Sequence, residues 1–328
     1  MFKRASLILK SSEKVTLEPE KRKARLSPLK YGSIQGRIAY FAMASLNAKD
    51  IMLMDKPTVE RFRVLTEQHP ETIPSIFWPY QSKAWGTSER VDYLYNHFET
   101  LRELPYLIDS QADLERVLAQ ADDIYPGLRI VLDKNGLFMR EGMLTLNIYV
   151  GVERVFTLAF SFYKNTSDRI CAMVGAIQGR RMQDVKTLYR AMTRKAHGVR
   201  PRDLMVEVFQ LFCRRIGVEK IYAIADSHRQ HKHNFYCLKN KLDSLHLDYD
   251  EVWTNRGGVR NSEGFFELPV PPVFRSLHTV IAKKRSMYRK RYAMLEQLER
   301  NLENSLIAFS GFERGSILGN RDTQLKAS

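Results

Sequence analysis

The sequence predicts an α+β protein with a helical N-terminal region, a central mixed β-sheet flanked by helices, and a long C-terminal helix. Apolar residues recur at helical spacing from Gly36 to about Gln120, and the period falls to two after Pro126. From Arg275 to about Ser305 an apolar seam advances by sevens through Ile281, Tyr288, Leu295 and Leu302, widened by Leu277, Tyr292 and Leu298. At 328 residues, 44% hydrophobic and 11% aromatic, the chain can bury a core, which excludes general disorder.

Each element has a local cause. Residues 1–30 read as a basic arm, with Lys21-Arg22-Lys23 between Pro19 and Pro28. Residues 31–125 form the helical region. Thr58 after Pro57 opens a helix with Val59, Phe62 and Leu65 on one face; Ser88 to Leu104 repeats the pattern with Val91, Leu94, Tyr95 and Phe98. Ser110 to Asp113 reads as a capping box before Leu114, Val117 and Leu118. Residues 126–274 form the sheet domain. Lys134-Asn135-Gly136 predicts a tight hairpin between Leu128–Asp133 and Leu137–Arg140, because Asn-Gly accepts positive φ.

Strands follow over Met143–Val150, Arg154–Tyr163 and Arg169–Gln178, antiparallel because the turns between them are short. Asp184–Lys195 and Pro201–Ile216 are helices, and Lys220–Asp226 is a strand ending in a His-rich loop. A short helix over Phe235–Leu242, the segment Tyr249–Trp253, a Gly257-Gly258 turn and the strand Phe265–Leu268 complete the domain. Residues 275–328 are the basic helix and tail.

Charge is segregated. The net charge is +15, and the whole surplus lies in Met1–Arg37, Gln178–Arg202 and Arg275–Arg300. Clustered cations call for an anionic neighbour, or else for solvated faces. Cys171, Cys213 and Cys237 are odd in number and widely spaced, which excludes a disulfide framework or CxxC site; buried inert thiols in a reducing compartment are expected. Only five uncharged residues separate Arg4 from Lys10, too few for a signal-peptide core, and no run of about 18 apolar residues occurs. A cytoplasmic protein is expected, with contact to the inner-membrane face left open.

Three constellations could carry chemistry. Gln178, Gly179, Arg180 and Arg181 leave a strand, and His197 and Arg200 precede the next helix; glycine, arginines and a helix start together suit phosphate groups. A meander feeding such a turn and helix is the layout of acyl-CoA N-acyltransferases, although the Gly-x-Gly/Ala spacing is absent. Asp226 and His228 stand at a strand end, where they could act as orienting carboxylate and general base. His228, His231 and His233 match no regular ligand spacing and Lys232 repels a cation, so no metal is expected. Asp250 and Glu251, beside Tyr249 and Trp253, could shape an acceptor pocket on a β edge, with Glu251 a further catalytic candidate. No GxSxG, Walker or HExxH motif supports a serine hydrolase, P-loop NTPase or zincin.

Five motifs in order resemble the bacterial VirK/YbjX family. They are Ile177-Gln178-Gly179, His197 to Leu204, Ile221 to His228, Tyr249 to Trp253, and Gly264 to Pro269; the likeness runs from about Tyr31 to Arg291. The resemblance implies an enterobacterial protein linked to virulence, antimicrobial-peptide resistance and outer-membrane or lipid A remodelling, and it carries no established catalytic residues. The donor expected from the strand and helix order is acyl-CoA or, given the basic stretches, an acidic acyl carrier protein. The alternatives are a regulator binding RNA or a partner protein, and a peripheral protein on the anionic inner-membrane face. The catalytic reading depends on one geometric expectation: the strands ending at Gln178 and Asp226 lie parallel and open a slot.

Overall fold

Period-two patterning becomes strand where neighbours can bury it. A computed structural model describes residues 45, 47–104, 115–180, 184–233 and 247–324, with side chains through 309. The helices are α1 (Ala48–Met52), α2 (Lys56–Gln68), α3 (Ile73–Phe77), α4 (Thr87–Arg102), α5 (Val185–Lys195), α6 (Pro201–Arg215), α7 (Tyr249–Asn255) and α8 (Ala282–Gln324). β1 (Arg116–Gln120), β2 (Leu128–Asp133), β3 (Leu144–Val150), β4 (Glu153–Lys164) and β5 (Ile170–Gly179) form an antiparallel meander. The turn from β4 to β5 is fixed by the Asn165 side chain, which accepts from the N–H groups of Ser167 and Arg169 at 3.0 Å each.

After α5 and α6 the chain returns as β6 (Lys220–Ile224), parallel to β5, since a parallel step needs such a crossover. β7 (Val259–Arg260) and β8 (Phe265–Leu268) complete the sheet in the order β1-β2-β3-β4-β5-β6-β8-β7.

Two layers of helix bury the sheet. Pro201 opens α6, which buries Leu204, Val208, Phe209, Leu211 and Phe212; the Phe209 ring meets Phe160 of β4 at 4.7 Å. α8 sets Leu295, Leu298 and Leu302 into the same core, and Arg215 of α6 reaches Glu299 and Glu303 at 2.9 Å each. α2, α3 and α4 enclose a smaller core around Leu65, Trp78, Tyr80, Val91 and Leu94. α4 also acts as a substitute strand, because β4 outruns β3 beyond the Leu144–Phe160 pair. There His97 Nδ1 accepts from Phe162 N–H at 3.1 Å, while the Asn96 amide accepts from Lys164 N–H and donates to its carbonyl.

Some expectations change. Val117 and Leu118 lie on β1 rather than on a helix, because pairing with β2 overrides the local helical spacing; Ser110–Leu114 lie outside the described residues. Leu137–Arg140 is not a hairpin strand. Asn135 accepts from Leu137 N–H and starts a 3₁₀ turn over Gly136–Phe138, and the longer, more apolar β3 pairs with β2 instead. Tyr249–Trp253 is helix, capped by Asp248, which accepts from Glu251 N–H at 3.1 Å. The C-terminal helix starts at Ala282, since the Ser276–Thr279 turn bonds to itself, and Ile281 is 63% exposed rather than part of the seam. Val59 is exposed, so α2 buries Leu65 with Phe62 beside it. The arm over 1–30, the helix over Phe235–Leu242, Arg181 and Cys237 lie outside the described residues. Cys171 and Cys213 are free and buried, and burial raises both thiol pKa values.

Candidate functional site

β5 and β6 do part. Their parallel pairing ends at Val174 and Ala223, while β5 continues to Gly179, so its far edge loses its neighbour. A strand edge left in a buried position must find other partners for its backbone groups. α7 supplies them. The Tyr249 hydroxyl accepts from Ile177 N–H at 3.0 Å and donates to Ile177 C=O at 3.1 Å, and Trp253 Nε1 donates to Ile224 C=O at 2.8 Å. The Arg229 guanidinium lies 3.9 Å from the centre of the Tyr249 ring. The slot is therefore filled by side chains, which corrects the expectation that it stands open.

A cleft lies beside it instead, at the amino end of α6. Its volume is about 900 Å³, within the range of small-ligand sites. Phe156, Tyr189, Leu247 and Met287 give it apolar walls; Arg190, Arg194, Arg200, Arg202 and His197 ring it. Arg190 and Arg194 come from one face of α5, four residues apart. Arg200 is the N-cap of α6 and makes no side-chain capping bond. Arg190, Arg194 and Arg200 are exposed and form no ion pair among the described residues. Arg202 is engaged, bonding Asp203 at 3.1 Å with Glu251 at 3.9 Å. His197 holds a positive φ of 49° and its carbonyl accepts twice from Arg291 of α8, which ties the rim to the C-terminal helix.

The expected phosphate-binding residues are thus divided. His197 and Arg200 line the cleft. Gly179 does not admit a ligand: a Cβ there would meet the Tyr189 hydroxyl at 2.6 Å and the Phe156 ring at 2.9 Å, so the missing side chain accommodates packing. Gln178 pairs in register with Thr157, and Arg180 forms an ion pair with Glu153 at 2.8 Å, so neither lines the cleft. Arg190 and Arg194 were visible in sequence only as part of a charge cluster, and Arg202 as the end of the His197–Arg202 stretch.

Asp226 and His228 stand together after β6 but do not form the expected dyad. Burial would raise the Asp226 pKa, yet Lys232 and Arg229 outweigh it and hold the carboxyl below its usual value. The His228 ring packs on Gly264, where a Cβ would come within 2.4 Å, and its Nδ1 lies 2.9 Å from the Ser227 hydroxyl. Burial, with Lys83 and Arg260 nearby, lowers the His228 pKa and keeps the ring neutral at pH 7. Asp250 joins this cluster, accepting from Asp226 N–H at 2.6 Å and from Arg260 at 3.2 Å. Glu251 turns the other way, toward Arg202 at the cleft, so α7 separates the two groups. Among the described residues no group of three or more His, Cys, Asp or Glu side chains could hold a metal ion, and no helix is long and apolar enough to cross a membrane.

Comparison with known proteins follows the same residues. The model of the family described as "Protein of unknown function (DUF535)" matches residues 30–304. "Uncharacterized protein YbjX" of Escherichia coli strain K12 is 26% identical over 250 residues, 72% of each chain. An "Uncharacterized protein" of Haemophilus influenzae is 27% identical over 262 residues, covering 77% of this chain and 86% of the relative. A second Haemophilus influenzae protein is 25% identical over 236 residues, 70% of this chain and 75% of its own.

Proposed function

The chain belongs to the DUF535 family of proteins of unknown function, the VirK/YbjX family of its Escherichia coli relative, and from that premise we propose that it is an acyltransferase-like protein of envelope remodelling. The single observation that carries this reading is the cleft, in which three exposed arginines, with no ion pair among the described residues, stand around apolar walls at a helix start. A ligand with phosphate at one end and an apolar or amide chain at the other suits such a place, and acyl-CoA or the phosphopantetheine arm of an acidic acyl carrier protein has that make-up. The sheet order, with its change from antiparallel to parallel and its parting strands, supports the likeness to N-acyltransferases. In that reaction the acceptor's nitrogen or oxygen bonds the acyl carbon, the acyl–sulfur bond breaks, and Glu251, the catalytic candidate on the cleft side of α7, takes the acceptor's proton. Lipid A remodelling, resistance to antimicrobial peptides and virulence are the processes we assign to it by family.

The filled slot favours a second reading, a non-enzymatic regulator that binds RNA or a partner protein through the same basic surfaces. Calorimetry separates the two. Coenzyme A should bind the wild-type chain, and Arg194→Ala with Arg200→Ala should weaken it by about tenfold to a hundredfold, two charged hydrogen-bonding groups being lost. No measurable coenzyme A binding, together with salt-sensitive RNA binding, would sink the acyl-donor reading.

A further inference from the structure

We propose that the surface formed by residues 273–290 docks on an anionic lipid bilayer, bringing the mouth of the cleft to the membrane face. The proposal does not rest on acyl transfer: it concerns a different surface, and vesicle binding can persist when coenzyme A binding fails.

The charge here is one-sided. From Arg275 to Leu295 the chain carries seven Lys and Arg residues and no acidic residue. Arg275, Lys283, Lys284, Arg289 and Lys290 are exposed and form no ion pair among the described residues. Further along α8 the pattern reverses: Glu296, Glu299 and Glu303 appear, and Leu295, Leu298 and Leu302 are buried against α6 and the sheet. The second half of the seam is used by the core. In the first half and the segment before it Val280 is buried, while Val273, Phe274, Arg275, Ile281, Lys283, Lys284, Arg289 and Lys290 are exposed.

That outward face is not only basic. Val273 is 76% exposed, Phe274 41% and Ile281 63%, set among the lysines and arginines. Scattered apolar side chains on a surface are ordinary, but three within nine residues, interspersed along the chain with cations that form no ion pair among the described residues, combine both terms of interfacial lipid binding. Phe274 stacks on Tyr292 at 4.8 Å, an aromatic pair of the kind that settles at headgroup level. RNA or an acidic protein would match the charge and leave the apolar residues in water. An anionic bilayer takes both.

The surface also adjoins the cleft. Met287, on the same turns of α8, lines it, and Arg291 bonds the His197 carbonyl at its rim. A bilayer seated on 273–290 would therefore border the arginine-ringed opening.

Co-sedimentation of the full chain with vesicles tests this. Vesicles of phosphatidylcholine with phosphatidylglycerol should bind at physiological salt, and vesicles of phosphatidylcholine alone should not. Each Lys or Arg near an anionic surface contributes enough that K283Q/K284Q/R289Q should lower the partition coefficient by on the order of 100-fold. V273A/I281A keeps every charge and should lower it about tenfold. All five side chains are exposed, and unchanged melting curves verify that the variants fold. Equal binding to both vesicle types, or a neutralised variant that binds as well as wild type, would overturn the proposal. So would an apolar variant with undiminished binding beside equally tight capture of RNA, which would mark plain polyanion attraction.

Discussion

Tyr249 is the residue on which the site turns. Its hydroxyl satisfies both polar groups of Ile177 at the place where β5 loses β6. Tyr249→Phe leaves a buried N–H and a buried C=O without partners, and should cost about 2–4 kcal/mol, seen as a lower urea midpoint with unchanged slope. Two other buried residues set opposite pH dependences. Burial lowers the His97 pKa to about 3 from 6.5, so the unfolded chain takes up a proton that the folded one refuses. Stability is then whole above about pH 6.5 and falls as pH drops toward 3, by up to about 5 kcal/mol. Burial raises the Asp133 pKa to about 6 from 3.8, although Thr145 and Asn147 donate to it. Its cost appears as pH rises from about 4 to 6 and reaches about 3 kcal/mol. His97→Gln should flatten the acid limb of a pH–stability curve, and Asp133→Asn should raise stability at pH 7; the converse slopes would refute both assignments.

Among the elements, α4, α6 and β2 to β6 were legible because each carries a full repeat of its own period, as Leu204, Val208 and Leu211 do on α6. Short segments were misread where a neighbour decided. Val117 and Leu118 satisfy helical spacing equally well, and only β2 makes them a strand. Leu137–Arg140 lost its partner to β3, and Tyr249–Trp253 is helical because Asp248 caps it. α8 depends on packing in its middle turns. Leu302 is fully buried, so Leu302→Ala should cost about 2–5 kcal/mol, measured by urea unfolding. A loss under about 1 kcal/mol would mean that α8 is not docked on α6 and β1 as described.

At the scale of the molecule, two of the three basic stretches meet. Arg190, Arg194 and Arg200 ring the cleft, and α8 brings Met287 to its wall and Arg291 to its rim. The candidate site was half legible. His197 and Arg200 were marked by a helix start next to like charges, whereas Gly179 and Arg180 looked equivalent and are spent on packing and an ion pair. Nothing in the spacing of Asp226 and His228 told that Lys232 and Arg229 would take the carboxylate.

Composition and periodicity alone were enough for β2 to β6, the crossover helices and the places where positive charge gathers, and the motif resemblance was enough for the family. These are local or additive properties, carried by residues close in the chain. Whether the parting strands leave room, which arginines stay unpaired and which half of the last helix faces water depend on contacts between distant segments. Tyr249 and Ile177 are 72 residues apart, and no repeat in the chain marks them as partners.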